Sequence, residues 1–157
     1  MSINNYYYSF PRSDNGLFLL TKIGFVNGID SKVKSKDSFK LGGRDFKGFK
    51  FAGIGPRDSD NKYLGGTKVY KITLGYSTPV LFDDSELLTF KLFTNFGSLY
   101  DSDFSATYDS NKLRSSIGAS LDYVTPIGPL SISYSKSLTK ESWDHDEDFD
   151  FSIGTTF

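Results

Sequence analysis

Two short acidic segments contain the residues best suited to bind a cation. Asp144-His145-Asp146-Glu147-Asp148 combines four carboxylates with the one histidine of the chain, and oxygen and imidazole groups are common metal ligands. Asp58-Ser59-Asp60-Asn61 starts like a calcium-binding loop but lacks the central glycine and the distant bidentate glutamate of such a loop. Carboxylates without this spacing are typical of a solvated loop tip. We therefore predict no metal site.

The sequence lacks the common arrangements of a catalytic site. His145 is the only histidine, and neither a Gly-x-Ser-x-Gly elbow nor a His-Glu-x-x-His pair occurs. Cysteine is absent, which excludes a thiolate nucleophile, a thiolate metal site and a disulfide. We predict a protein that is not an enzyme and that uses no cofactor.

Composition and charge restrict the class of protein further. The 157 residues include 15 Phe, 10 Tyr and 15 Gly, with a formal net charge of −1. A chain without a basic field is not expected to bind nucleic acid, although its aromatic rings could stack on bases. No run approaches 18 consecutive apolar residues, and the start of the chain has no signal-peptide pattern. Any location in an outer membrane would then make this chain a fragment of an exported precursor.

Period-two alternation of apolar and polar residues runs through most of the sequence and predicts β-strands. It is clearest at the end of the chain, where the apolar set is Phe149, Phe151, Ile153, Thr155 and Phe157. Similar alternation occurs in segments 113–123 and 130–138, and upstream in 70–76 and 88–97. Segment 17–26 is apolar on both faces, and 4–10 has the pattern of a partial strand. The prediction is an all-β antiparallel meander of about six to seven transmembrane strands within one domain, residues 1–157.

The connections between these strands alternate in length, as they do in outer-membrane barrels with short periplasmic turns and longer outer loops. The short ones are 11–16, 79–86 and 125–129, and the long ones are 27–66, 100–112 and 139–148. This pattern predicts that the chain ends on the periplasmic side. Connection 27–66 contains nine Lys or Arg, five Asp and four Phe. A solvated loop rarely carries four Phe, so we expect part of it to pack inward, inside a lumen.

Several of these segments resemble the barrel-assembly translocases of bacterial outer membranes, the BamA-like surface-antigen family. That family has an inward-folded loop with Gly-Gly and a Val-Arg-Gly-Phe/Tyr motif, which Gly42-Gly43-Arg44-Asp45-Phe46-Lys47-Gly48-Phe49 resembles. Phe93-Thr94-Asn95-Phe96-Gly97 is similar to the family's Phe-x-Asp-x-Gly strand motif. Ile54-Gly55-Pro56-Arg57, Leu64-Gly65-Gly66, Pro126-Ile127-Gly128-Pro129-Leu130 and the terminal strand 149–157 also resemble family segments. The resemblance covers residues 17–157, the C-terminal part of the family's barrel.

Two departures fall on residues that interact in the family. Lys47 stands where the family's loop has arginine, and Asn95 stands where its strand has aspartate. An arginine–carboxylate contact can be bidentate and charge-assisted, whereas Lys47 to Asn95 would be one weaker hydrogen bond. Arg44 is close enough in sequence to substitute for the missing arginine.

The resemblance implies a function in the assembly and insertion of outer-membrane proteins. The implied partners are the lipid bilayer, the remainder of the barrel, upstream periplasmic domains, client outer-membrane proteins and assembly lipoproteins. Phe149, Phe151, Ile153, Gly154 and Phe157 would form the terminal β-signal, in a strand at which client strands add by β-augmentation. Gly154 would weaken side-chain packing at that seam.

Two other functions are compatible with the same strands. One is a passive outer-membrane surface antigen or pore. The other is a soluble β-barrel whose apolar face turns inward and binds a small apolar ligand. The small uncharged face that contains Ser131, Ser133 and Ser135 suits a lumen better than a solvent-exposed surface, and so favours the membrane.

Overall fold

Seven strands form one antiparallel sheet in the computed structural model, which describes residues 1–28, 32–34, 36–80, 88–125 and 128–153. Its long strands are β1 (Ser2–Ser9), β2 (Gly16–Phe25), β4 (Lys68–Pro79), β5 (Leu88–Tyr100), β6 (Arg114–Thr125), β7 (Gly128–Thr139) and the shorter β9 (Phe149–Ile153). They are ordered β1-β2-β4-β5-β6-β7-β9. Two-residue strands β3 (Gly48–Phe49) and β8 (Asp146–Glu147) pair with each other. The predicted all-β meander is confirmed.

Side chains alternate between the two faces along each strand, and the pairing register places partner residues of neighbouring strands on the same face. Leu92, Ile132 and Phe149 lie on the outer face and are 49%, 45% and 59% exposed. The opposite, inner face contains buried polar side chains such as Asn95, Ser116 and Ser133. The large apolar side chains therefore lie on the exposed outer face, and the small polar ones lie on the covered inner face.

Five strands have 10 to 13 residues, about the length that a tilted strand needs to cross a bilayer. No helix in the described ranges is long and apolar enough to cross a membrane. In the described part of the chain, strands β1 and β9 are the two edges of the sheet and are not paired with each other.

The main hydrophobic core lies between connection 27–66 and the inner face. Leu41, Phe46, Phe49 and Ile54 of the connection pack with Val69 of β4 and Leu99 of β5. Phe39 is partly buried against this cluster, whereas Phe51 is exposed. Three of the four Phe in the connection therefore pack inward as expected, and Phe51 does not.

The predicted boundaries need a few corrections. Strand β1 covers Ser2–Ser9 rather than a partial strand at 4–10, and the long connection is interrupted by β3. The predicted terminal strand 149–157 is described only as far as Ile153, so Gly154 and Phe157 lie outside the described residues. Most of turn 79–86 and the centre of turn 125–129 also lie outside them.

Candidate functional site on the inner face of the sheet

Residues 42–49, named here the anchor segment, cross the inner face of the sheet. The segment is closed on itself by a hydrogen bond from Gly43 N to Phe49 O at 2.7 Å and by another from Phe46 N to Gly43 O at 3.2 Å. Gly42 lies against the carbonyl of Lys50. The rings of Phe46 and Phe49 are both buried and meet edge to face, 5.4 Å between centroids. The segment is thus a compact turn with an apolar base.

Gly97 of β5 provides the room for this base. A Cβ built on Gly97 would lie 3.2 Å from Cε2 of Phe46 and 2.4 Å from the carbonyl oxygen of Tyr70. Gly97 therefore permits close packing between the anchor segment and the sheet, which is a common reason for glycine inside a strand.

Asn95 contacts the backbone of Lys47 rather than its side chain, which corrects the expected side-chain contact. Asn95 Nδ2 donates to the Lys47 carbonyl at 3.4 Å, and Ser116 Oγ donates to the same oxygen at 2.5 Å. Asn95 also donates to Ser116 Oγ at 3.0 Å and accepts from Thr73 Oγ1 at 2.7 Å. An amide both donates and accepts, so Asn95 can donate to the Lys47 carbonyl, which an ionised carboxylate cannot do.

The side chain of Lys47 extends past Asn95 towards β7. Its ammonium donates to Ser131 Oγ at 3.4 Å and lies 5.6 Å from the centroid of the Phe93 ring. Burial lowers the pKa of Lys47, and the carboxylates of Asp122 and Asp150 offset this effect only in part. Among the described residues, Lys47 thus makes one long side-chain hydrogen bond and no ion pair within 4 Å.

Arg44 does not substitute for the missing arginine, because it points to the edge of the sheet. Its Nη2 donates to the backbone carbonyl of Ile153 in β9 at 3.1 Å, at an exposed position. The expectation that Arg44 would replace an arginine–carboxylate anchor is therefore wrong.

Asp45 makes the ion pairs of the anchor segment, which the sequence reasoning missed. Its carboxylate lies 2.5 Å from Lys22 Nζ of β2 and 3.2 Å from Lys71 Nζ of β4. Burial raises the pKa of Asp45, but the nearby ammonium groups of Lys71 and Lys22 outweigh it, so the pKa lies below its ordinary value. The sequence shows a lysine in each of two neighbouring predicted strands, but it does not show that the two lie opposite each other on one face.

The long connections pack together at one end of the sheet. Strand β3 of the anchor segment pairs with β8, and Arg57 pairs with Tyr108 through backbone hydrogen bonds. The ring of Tyr108 stacks on Trp143. The guanidinium of Arg114 and the carboxylate of Asp144 form a fully buried pair, with Nε to Oδ2 at 2.9 Å. The three connections therefore form one packed layer over that end.

The acidic run 144–148 lies in this layer and is largely paired with cations. Besides the pair of Asp144 with Arg114, Asp146 pairs with Lys140 at 2.5 Å and Asp148 pairs with Lys136. His145 contacts Asn61, and burial together with Arg57 and Lys50 lowers its pKa. Within the described residues, no group of three or more His, Cys, Asp or Glu could hold a metal ion.

Strand β9 contains the described part of the predicted terminal motif. Ser135 N donates to the Asp148 carbonyl at 2.7 Å, and hydrogen-bonded pairs alternate along an antiparallel ladder. The non-hydrogen-bonded pairs between β7 and β9 are therefore Tyr134↔Phe149, Ile132↔Phe151 and Leu130↔Ile153. The backbone groups of Phe149, Phe151 and Ile153 point to the free edge, and their side chains lie on the outer face.

A model of the Omp85 superfamily domain matches residues 2–157. The chain belongs to the Omp85 superfamily. It is 32% identical over 145 residues to the outer membrane protein assembly factor BamA of Neorickettsia risticii (strain Illinois), covering 90% of this chain and 19% of that protein. It is 24% identical over 193 residues to the protein of the same name from Neisseria meningitidis serogroup B, covering 96% of this chain and 24% of that protein.

The Omp85 fold is also supported by a solved structure. The crystal structure of BamA from Haemophilus ducreyi lacking POTRA domains 1-3 superposes with a TM-score of 0.82 at 22% identity, covering 98% of this chain and 34% of that chain. The chain thus spans about a fifth to a quarter of the curated relatives that it matches. This Omp85 chain is the C-terminal segment of an outer-membrane β-barrel, as the sequence predicted.

Proposed function

We propose that this chain is the barrel segment of an outer-membrane protein assembly and insertion factor, and that its role is not enzymatic. Two relatives with matching barrel segments bear the name of such a factor. The proposed partners are the lipid bilayer, the rest of the barrel, upstream periplasmic domains, assembly lipoproteins and client outer-membrane proteins.

The edge of β9 that faces away from β7 is the single observation on which this proposal depends. Phe149, Phe151 and Ile153 direct their backbone N–H and C=O groups away from β7, and their apolar side chains face outward. The Ile153 carbonyl accepts from Arg44, and an extended client strand could pair with the groups of Phe149 and Phe151 by β-augmentation. Its own apolar face would then continue the outer surface into the lipid, where unpaired backbone groups are costly.

A proline at position 151 tests the role of this edge. The N–H of Phe151 points to the free edge, so Phe151→Pro removes a donor there without removing a hydrogen bond to β7. Phe151→Leu is the matched control, since it keeps the donor and the apolar side chain. The assay is the insertion of a client outer-membrane protein into phospholipid vesicles that contain the full-length protein.

The rate of client insertion should fall about tenfold or more with Phe151→Pro and should stay near normal with Phe151→Leu. A tenfold fall corresponds to a loss of roughly 1.4 kcal/mol of strand pairing in the transition state. Trypsin resistance of the barrel shows that both variants fold. Normal insertion by a folded Phe151→Pro variant would rule out the β9 edge as the insertion site.

The structure supports this proposal over the two alternatives. The anchor segment and the packed connections cover the inner face, which disfavours a passive open pore. Leu92, Ile132 and Phe149 are exposed on the outer face, which disfavours a soluble barrel with an apolar interior. Ion conductance across a planar bilayer separates the pore from the assembly factor, because a pore would conduct continuously.

A further inference from the structure

We propose that Asp45 is the positioning residue that fixes the long connection to the barrel wall, with the anion in the loop and the cations in the strands. The family resemblance implies the opposite polarity, a loop arginine against a strand carboxylate, and both of those residues are replaced here by Lys47 and Asn95. The docking does not depend on the proposed function, whereas its effect on client insertion does.

The inner face of β2 and β4 needs a negative charge next to two of its lysines. Lys22 and Lys71 are directly opposite each other in the register of β2 and β4, on the inner face. Their side chains are only 20% and 11% exposed. Like charges at directly opposite positions destabilise a sheet, and burial adds to the cost of each charge. Without a carboxylate between them, these two ammonium groups would oppose folding.

Asp45 satisfies this requirement with a single carboxylate. One of its oxygens lies 2.5 Å from Lys22 Nζ and the other lies 3.2 Å from Lys71 Nζ. In the part of the chain that the structure describes, no other carboxylate lies within 4 Å of either ammonium. The carboxylate thus neutralises both strands and attaches the loop to them.

The other polar contacts of the anchor segment are made to strands β5, β6, β7 and β9, on the far side from β2 and β4. The Lys47 carbonyl is bound by β5 and β6, the Lys47 ammonium reaches Ser131 of β7, and Arg44 reaches Ile153 of β9. Among the described hydrogen bonds of the segment, those of Asp45 alone reach β2 and β4. The backbone contacts of Lys47 would form with almost any residue there, so Asp45 supplies the charge specificity of docking.

The experiment measures how well the docked loop protects the wall beneath it. Ser133 lies on the inner face of β7, two residues from Ser131, to which Lys47 of the anchor segment donates. It is 1% exposed, and its hydroxyl has no hydrogen-bond partner among the described residues, so Ser133→Cys introduces a thiol reporter at little cost. Labelling by a maleimide is followed at this site by mass spectrometry, in the full-length protein in phospholipid vesicles. Asp45→Asn is combined with the reporter, and Asp37→Asn is the matched control, since Asp37 is an exposed acid of the same connection.

Asp45→Asn should increase the labelling rate about tenfold or more, because two buried ammonium groups lose their counterion. Asp37→Asn and Asp45→Glu should label at the normal rate. The triple variant Asp45→Asn/Lys22→Met/Lys71→Met removes the buried charges together with the anchor, so it should fold and still label fast, which keeps the test decisive if Asp45→Asn fails to fold. Normal labelling of Asp45→Asn, or of the triple variant, would overturn the proposal.

Client insertion measured in the same vesicles separates this inference from the proposed function. Fast labelling with reduced insertion supports both the anchor and its role in assembly. Fast labelling with normal insertion supports the anchor and contradicts its link to assembly. Slow labelling contradicts the anchor, whatever the insertion rate.

Discussion

Gly48 lies where the anchor segment approaches β6 most closely. Its φ is +98°, and a Cβ built on it would lie 2.7 Å from Cβ of Ser116. Gly43 also has a positive φ, +61°, but its built Cβ has no neighbour closer than 3.4 Å. The two glycines of one turn thus separate the cost of backbone strain from the cost of a steric clash.

Gly48→Ala should therefore destabilise the protein more than Gly43→Ala. Backbone strain alone should cost about 1 kcal/mol in Gly43→Ala, and strain plus displacement of the turn should cost about 2–4 kcal/mol in Gly48→Ala. Urea unfolding of the full-length protein in vesicles measures both free energies. Equal losses would show that Ser116 moves aside and that the turn is not tightly packed.

Asp45 also makes the docking of the loop dependent on pH. Its pKa is lowered in the folded protein by Lys71 and Lys22 against the effect of burial, so the stabilisation is present above its unfolded pKa, about 3.9. The stabilisation is lost as pH falls through the lower, folded pKa. Labelling of the Ser133→Cys reporter, divided at each pH by the rate for a free thiol because the thiolate is the reactive form, should stay low from about pH 5 to 8 and rise below about pH 4. An acid-induced rise of the same size in Asp45→Asn would assign the transition to another group.

At the scale of the elements, the buried pair of Arg114 and Asp144 joins the start of β6 to the connection between β7 and β8. Arg114 also donates to Ser98 Oγ and to the carbonyls of Ser110 and Lys112, so one guanidinium links β5, β6 and two connections. Breaking one partner of a buried pair usually costs more than replacing both, because it leaves a buried charge uncompensated.

Asp144→Asn should therefore cost about 3–5 kcal/mol, and the double variant Arg114→Met/Asp144→Leu should recover a large part of that loss. The measurement is again urea unfolding, with trypsin cleavage in 139–148 as a local readout. A double variant as unstable as Asp144→Asn would show that the carbonyl contacts of Arg114 matter more than the ion pair.

The long strands were predictable because a half-buried strand imposes a period of two on its own sequence. Strand β1 was predicted only in part, since Asn4-Asn5 weakens the alternation and Asn is a poor strand former. Strands β3 and β8 were missed because two residues contain no period. The contacts of Lys47, Arg44 and Asp45 could not be predicted, since the direction of a loop side chain depends on the tertiary packing. The directly paired Lys22 and Lys71 depend on a register that only the assembled sheet shows.

At the scale of the whole molecule, the sheet separates two environments. Its outer face presents large apolar side chains, whereas its inner face presents small polar ones, paired charges and the packed connections. A soluble protein would place its large apolar groups between the sheet and the loops, and here only a small cluster does so. Lipid on the outer face therefore supplies the environment that a second layer supplies in a soluble fold.

A charge placed on either face of β5 tests this separation. Leu92 lies on the outer face, and Thr89 lies on the inner face directly opposite Asp122 of β6. Leu92→Lys should cost about 2–4 kcal/mol if it faces the bilayer midplane. Thr89→Lys should cost less, because the inner face is polar at this place and already holds the ion pair of Lys91 with Asp122. Both are measured by urea unfolding in vesicles of short-chain and of longer-chain phospholipid. The penalty for Leu92→Lys should grow with the thickness of the bilayer, because the ammonium then reaches the interface less easily. A similar small penalty at both positions, independent of thickness, would mean that the outer face meets water rather than lipid.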